Sequence, residues 1–179
     1  GHSDIELARR VRGVIGRDMD LVFDVLGARV RWDVPTAIQR LRDIEPYRLL
    51  WIEEPLPPHD LDAHVRLRAA VSTAIGTGEQ EWNVEGYRRV LRAGAVDVLP
   101  MDPGRCHGIT GCLPVVKLVE AENLNFTAHT WSSALNTAAI VHLLAISNAG
   151  LCLAFQPPQS PMQPPPVNNP CVQAHGRIP

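Results

Sequence analysis

Short apolar segments alternate with amphipathic segments along most of the chain. Apolar residues at helical spacing predict six helices, over residues 4–17, 34–45, 61–71, 84–94, 109–123 and 132–146. Between and after them, short apolar segments predict six strands, over residues 21–24, 49–53, 74–79, 96–102, 124–129 and 151–155. Repeated β-α units of this length indicate a parallel sheet with right-handed crossovers. The sheet is either open and doubly wound or part of a (β/α)8 barrel.

Polar and conformationally special residues mark the ends of several helices. Asp33, Asp60 and Asn83 each precede a helix and predict side-chain caps, and Gly94 predicts a helix end. Pro35 suits an early helical position, whereas Pro114 lies inside a predicted helix and weakens that assignment locally.

Composition indicates one globular domain followed by a tail. The sequence is 45% hydrophobic and 20% charged, which is typical of globular proteins. Its 179 residues are enough to build one sizeable core. Residues 157–179 contain eight of the 16 prolines and cannot form a regular element. We therefore predict a domain over residues 1–156 and a Pro-rich C-terminal tail over residues 157–179.

Charge and cysteine usage favour a small-molecule partner. The formal net charge is -2, and the sequence has neither a block of like charges nor a basic-aromatic stripe, so nucleic acid and membrane surfaces are not expected partners. No apolar run is long enough to span a bilayer and the first residues are polar, so we expect a cytoplasmic protein. The four cysteines have no paired spacing, which favours reduced thiols.

One stretch, LLWIEEPLPP from Leu49 to Pro58, ends a strand in two carboxylates followed by prolines. Neighbouring strand residues point to opposite faces, so Glu53 shares a face with Trp51 and Glu54 does not. We therefore interpret Glu53 as the inward carboxylate and Glu54 as an auxiliary or solvated acid.

Other strands end in the same way. The residues Asp24, Glu53, Glu79, Asp102 and His129 each follow an apolar run, at intervals of 29, 26, 23 and 27 residues. In a parallel barrel the C-terminal strand ends open on one face, so this series would gather around one cavity.

The chemistry of this series divides it into two groups. Asp24, Glu53 and Glu79 supply oxygen ligands suited to Mg²⁺ or Mn²⁺. Asp102 and His129 lie on the next two strands, where a carboxylate could fix the tautomer of the imidazole and raise its basicity. His129 is then a candidate general base or acid.

These residues resemble the motifs of the enolase superfamily, in its mandelate racemase/muconate lactonizing enzyme-like group of sugar-acid dehydratases and racemases. The motifs are WIEEPLPP with its following His-Asp, GTGE, VDVLPMDPGRCHGITG and TAHTWSS, in the family's order and spacing. The resemblance implies a partial TIM-type barrel of about six parallel strands without the family's N-terminal capping domain. It also implies a Mg²⁺ site at Asp24, Glu53 and Glu79 and a catalytic dyad of His129 and Asp102.

The implied reaction is Mg²⁺-dependent removal of the proton alpha to a carboxylate through an enediolate, with loss of a beta hydroxyl in a sugar-acid dehydratase. A racemase or epimerase is an alternative. The chain departs from the family in having no Lys-x-Lys motif, with Lys117 its one lysine, and Ala154 where a glutamate is common. A catalytically incompetent barrel fragment with a structural or partner-dependent role is therefore a second alternative. We expect a homo-oligomer in either case.

Overall fold

The computed structural model describes residues 2–27, 29, 32–155, 171, 174, 175 and 177. Within these residues the helices are α1 (His2–Ile15), α2 (Val34–Ile44), α3 (Leu61–Arg68), α4 (Val84–Ala93), α5 (Gly108–Ala121) and α6 (Ala134–Ala145). The strands are β1 (Val22–Asp24), β2 (Trp51–Glu53), β3 (Ile75–Gly76), β4 (Val98–Met101), β5 (Asn125–Ala128) and β6 (Gly150–Leu153). The predicted alternation of strands and helices is confirmed, and a 3-10 helix, Glu45–Tyr47, follows α2.

Most of the predicted Pro-rich tail, residues 157–179, lies outside the described residues. The predicted domain boundary after residue 156 therefore stays a prediction. None of the helices in the described part of the chain is long and apolar enough to cross a membrane.

The predicted helix ends agree with the structure. The side chains of Asp33, Asp60 and Asn83 each accept a hydrogen bond from the backbone N–H three residues later, at 2.9, 3.0 and 2.9 Å. These bonds satisfy N–H groups that have no partner inside the first helical turn. Gly94 follows α4 with a φ of 66°, and α5 runs continuously through Pro114.

The chain forms two compact units. The first contains Gly1–Thr77 and Arg92–Val98, and the second contains Gly78–Leu91 and Leu99–Pro179. The first unit therefore holds the elements from α1 to β3 together with the start of β4. The second holds most of α4, the remainder of β4 and the elements from α5 to β6.

In the first unit the strands are parallel and adjacent in chain order. Asp24 of β1 is in register with Glu53 of β2, and Glu53 is in register with Gly76 of β3. Gly76 is in turn paired with Val98 at the start of β4. This register brings the carboxyl ends of β1 and β2 to the same level.

The core of the first unit is built from helix faces and strand side chains. Ala37, Leu41 and Ile44 of α2 are completely or almost completely buried, at the spacing of one helical face. They belong to one apolar cluster with Ile52 of β2 and Ile75 of β3. Burial of this face holds α2 against the strands that carry Asp24 and Glu53.

Arg12 connects α1 to two neighbouring segments of the first unit. Its guanidinium donates hydrogen bonds to the carbonyls of Gly16, Met19, Tyr47 and Arg48, at 2.7 to 2.9 Å. The planar fork of five donors suits this role. One side chain thus fixes the segments that precede β1 and β2.

In the second unit β5 and β6 form a parallel pair, with Phe126 in register with Gly150. The backbone N–H of His129 donates to the carbonyl of Met101 at 3.0 Å, which aligns the end of β5 with the end of β4. The aromatic side chains of Tyr87 and Phe126 are completely buried. The ends of β4 and β5 therefore lie beside a packed interior.

Two glycines of the first unit should respond oppositely to alanine. A Cβ at Gly27 would lie 2.2 Å from the carbonyl oxygen of Leu56 and 2.5 Å from that of Glu54, whereas a Cβ at Gly13 in α1 meets no atom within 4 Å. We expect Gly27→Ala to lower the free energy of unfolding by about 1–3 kcal/mol through overpacking. Gly13→Ala should raise it by up to about 1 kcal/mol. Urea unfolding of both variants measures the difference, and equal effects would contradict this packing.

A buried histidine should make the stability of the protein depend on pH. His64 is completely buried, and its Nδ1–H donates to the carbonyl of Asp60 at 2.9 Å. Burial lowers the pKa of His64, and the hydrogen bond to Asp60 only partly opposes this effect. Below about pH 6.5 the unfolded chain therefore binds more protons than the folded one, so the free energy of unfolding falls on acidification.

The variant His64→Asn retains a donor toward Asp60 and removes the titration. Its free energy of unfolding, measured by urea denaturation between pH 5 and 8, should fall less on acidification than that of the parent protein. Parallel pH profiles for the two proteins would show that His64 does not contribute.

Candidate active site

The structure places the five predicted site residues at or just beyond the C-terminal ends of consecutive strands. Asp24 and Glu53 are the last residues of β1 and β2, and Glu79 lies three residues beyond β3. Asp102 and His129 directly follow β4 and β5. Within each unit, parallel strands present such ends on one edge, which is where ligand and catalytic groups are found in α/β proteins.

Glu53 is held by an indole donor of the first unit. Trp51 Nε1 donates to Glu53 Oε2 at 2.9 Å, so the two side chains share a face of β2, as the alternation of the strand predicts. A Cβ at Gly76 would lie 3.0 Å from Trp51 Cδ1, so the glycine gives the indole its space. Asp24 is exposed, and its Oδ1 accepts the backbone N–H of Leu26 at 2.8 Å.

Of the two roles expected for Glu54, auxiliary acid or solvated acid, its burial excludes the second. Its residue surface is only 1% exposed, and its backbone has a φ of 42°. The left-handed conformation turns the chain at the point where β2 ends, while the Glu54 N–H still donates to the carbonyl of Gly76 at 2.9 Å. Glu54 is therefore a buried acid of the first unit.

In the second unit an imidazole lies between two carboxylates. His129 Nδ1 donates to Asp102 Oδ2 at 2.8 Å, and His129 Nε2 lies 3.6 Å from Glu79 Oε2. The side chains of Asp102 and Glu79 are 4% and 6% exposed, whereas that of His129 is 19% exposed. The carboxylates are thus shielded from water, while the imidazole keeps some access to it.

Asp102 is fixed by groups that the sequence did not identify. Its Oδ1 accepts hydrogen bonds from the N–H of Gly104 at 2.8 Å and from Nδ2 of Asn136 at 2.7 Å. Its own N–H donates to the hydroxyl of Tyr87 at 3.2 Å. Burial alone would raise the pKa of Asp102, but hydrogen bonds from His129, Asn136 and Gly104 lower it below its usual value. Asp102 is therefore a stable anion beside His129.

The sequence contains a pattern that indicates a buried polar role for one of these contacts, Asn136. Asn136, Ile140 and Leu143 are spaced to occupy one face of α6, and all three are buried. A polar residue on an otherwise apolar helix face requires a polar partner. Only the fold shows that this partner is Asp102.

Arg105 and Trp82 lie beside the dyad. Arg105 Nε is 3.9 Å from Asp102 Oδ2, and its guanidinium lies 5.0 Å from the ring centroid of Trp82. This distance fits a cation–π contact, which orients the guanidinium. The positive charge thus stands near Asp102 at a partly exposed position.

The predicted metal ligands divide between the units. Asp24 and Glu53 belong to the first unit and Glu79 to the second. Within either unit, the described residues contain no group of three or more His, Cys, Asp or Glu side chains that could hold a metal ion. The three-carboxylate site stays a prediction from the sequence.

Parallel strands that alternate with helices, with a histidine–aspartate pair at two strand ends, place the chain in the (β/α) class of proteins. The chain belongs to the Enolase C-terminal domain-like family, whose model matches residues 1–179. The predicted family and the predicted fold class, a partial (β/α) barrel, are both confirmed.

Relatives of the chain include proteins named as dehydratases of talarate, galactarate and galactonate. L-talarate/galactarate dehydratase of Salmonella typhimurium is 32% identical over 127 residues, which cover 71% of this chain and 31% of that enzyme. D-galactonate dehydratase of Xanthomonas axonopodis pv. citri is 29% identical over 138 residues, which cover 77% of this chain and 35% of that enzyme. The chain thus spans about a third of the length of these relatives.

The fold is also similar to that of a solved structure. The crystal structure of an enolase from Bradyrhizobium complexed with magnesium and mandelic acid matches 87% of this chain and 41% of that chain. The TM-score is 0.78 at 27% sequence identity.

Removal of the Tyr87 hydroxyl should destabilise the second unit. Tyr87→Phe would leave the buried N–H of Asp102 without its acceptor, which typically costs about 1–3 kcal/mol in the free energy of unfolding. Urea unfolding measures this change. A stability equal to that of the parent protein would contradict a role for the hydroxyl in holding Asp102.

Proposed function

We propose that the chain carries the acid–base machinery of a Mg²⁺-dependent enzyme that removes the proton alpha to a carboxylate, with sugar-acid dehydration as the reaction. The observation that supports this most directly is the 2.8 Å hydrogen bond between His129 Nδ1 and Asp102 Oδ2. It holds the proton on Nδ1 and leaves the lone pair of Nε2 available to accept a proton.

The proposed proton path begins at Nε2 of His129. His129 Nε2 takes the alpha proton of the substrate and becomes an imidazolium. The charge of Asp102 stabilises the imidazolium, because the carboxylate is buried, hydrogen-bonded and ionised. Return of the proton to the departing beta hydroxyl completes dehydration, whereas its return to the alpha carbon gives exchange or racemisation.

Asp24, Glu53 and Glu79 are the residues that would hold Mg²⁺. Their oxygen donors suit this ion, and the register of Asp24 with Glu53 brings two of them to neighbouring strand ends in the first unit. When bound, Mg²⁺ would offset the negative charge that develops on the substrate carboxylate. Mn²⁺ has similar ligand preferences and should substitute for it.

The substrate class rests on the relatives, whose names state activities on galactonate, talarate and galactarate. We propose a small sugar acid as substrate on this basis. A racemase or epimerase would use the same first step. The proposed homo-oligomer and cytoplasmic location are predictions from the sequence.

The function can be tested by exchange of the alpha proton for deuterium, measured by proton NMR on a panel of sugar acids with Mg²⁺ in deuterated water. The parent protein should catalyse exchange, and His129→Asn should slow it by about 10²–10⁴-fold. The matched control is His142→Asn, since His142 is an exposed histidine of α6. Its exchange rate should equal that of the parent protein.

Metal binding provides a second measurement. Calorimetric titration with Mg²⁺ should show weaker binding by Glu53→Gln, while Glu85→Gln, at an exposed residue paired with Arg88, should bind as the parent protein does. Absence of exchange on every substrate with Mg²⁺ bound would overturn the enzyme assignment in favour of a catalytically incompetent fragment. Unchanged affinity in Glu53→Gln would overturn the metal assignment.

A further inference from the structure

Asn136 lies at the junction of α6 with the dyad. Its backbone N–H donates to the hydroxyl of Ser133, the N-cap of α6, at 3.3 Å. Its side-chain Nδ2 donates to Asp102 Oδ1 at 2.7 Å. The first turn of α6 is thus connected through one amide to the carboxylate that holds His129.

The contact is enclosed and tightly packed. The Asn136 residue surface is 5% exposed. A Cβ at Gly104 would lie 3.1 Å from Asp102 Oδ1 and 3.3 Å from Asn136 Cγ, so only a glycine leaves the two side chains their present positions. The Asn136 amide therefore has little freedom to move away from Asp102.

The side-chain oxygen of Asn136 is buried in an unfavourable environment. Asn136 Oδ1 is buried and has no hydrogen-bond partner among the described residues. An apolar side chain of similar size would avoid the unfavourable burial of this oxygen. Donation from Nδ2 is thus the property that distinguishes asparagine from a packing residue at this position.

We propose that Asn136 is a positioning residue for the dyad, which acts by holding Asp102 Oδ1 so that Oδ2 points at His129 Nδ1. A carboxylate can rotate about its Cβ–Cγ bond, and the donors of Gly104 and Asn136 on one oxygen fix that rotation. The orientation of Asp102 in turn sets which nitrogen of His129 carries the proton. The catalytic consequence rests on the proposed role of His129 as the base.

Three variants separate donation from packing. Asn136→Leu removes the donor and keeps the branched shape of the side chain, and Asn136→Ser replaces the amide with a shorter side chain at the same buried position. Asn136→Asp keeps the shape but places a second carboxylate against Asp102. The matched control is Thr137→Val, which removes a buried hydroxyl of the same helix that donates to the carbonyl of Ser133 and not to Asp102.

Two measurements are made on each folded variant of the full chain. Nitrogen-15 NMR of labelled histidine, assigned with His129→Asn, gives the fraction of His129 that carries its proton on Nδ1. Exchange of the alpha proton in deuterated water gives the rate. We expect Asn136→Leu and Asn136→Ser to lower the Nδ1–H fraction and to slow exchange about tenfold, the effect of losing one hydrogen bond to a charged group.

The proposal predicts an order among the variants in the Nδ1–H fraction of His129 and in the exchange rate. Asn136→Asp should reduce both quantities more than Asn136→Leu does, because its charge repels Asp102, and Thr137→Val should leave both unchanged. Variants of Asn136 that fold and keep the parent tautomer would overturn the proposal. A parent protein that catalyses no exchange, with the tautomer change still present in Asn136→Leu, would overturn the proposed function and support the positioning role.

Discussion

The hydrogen bond between His129 and Asp102 is the interaction on which the candidate chemistry depends. It forms because two short strands end at the same level, and the N–H of His129 still bonds to the carbonyl of Met101 at that point. The backbone ladder thereby sets the distance between the two side chains. Helix packing then decides their orientation, since Tyr87 of α4 and Asn136 of α6 both contact Asp102.

Fully or partly buried carboxylates at strand ends require compensation, and each unit provides it differently. In the first unit, Glu53 receives the indole N–H of Trp51 from its own strand. In the second, Asp102 receives donors from a following turn, a helix and the imidazole. Donors of this kind offset the loss of hydration, so Asp102 remains charged where an apolar environment would otherwise neutralise it.

The predicted strands are longer than those observed, and the difference has a physical cause at the third strand. The segment from Ala74 to Glu79 was predicted as extended, yet β3 contains only Ile75 and Gly76. Gly78 has a φ of 140°, which takes the chain out of the ladder before it reaches Glu79. Apolar patterning identifies the existence and order of strands well, but backbone turns at the strand ends are set by residues that pack around them.

The sequence by itself determined the alternation of strands and helices, the caps at Asp33, Asp60 and Asn83, and the family, because these depend on local periodicity, local hydrogen bonds and motif order. It also brought Asp102 and His129 to neighbouring strand ends. Only the tertiary structure decided that Glu54 is buried, that Trp51 binds Glu53, and that Tyr87 and Asn136 hold Asp102. Those contacts join side chains whose distance and direction depend on how helices pack on the strands, and no local pattern encodes that packing.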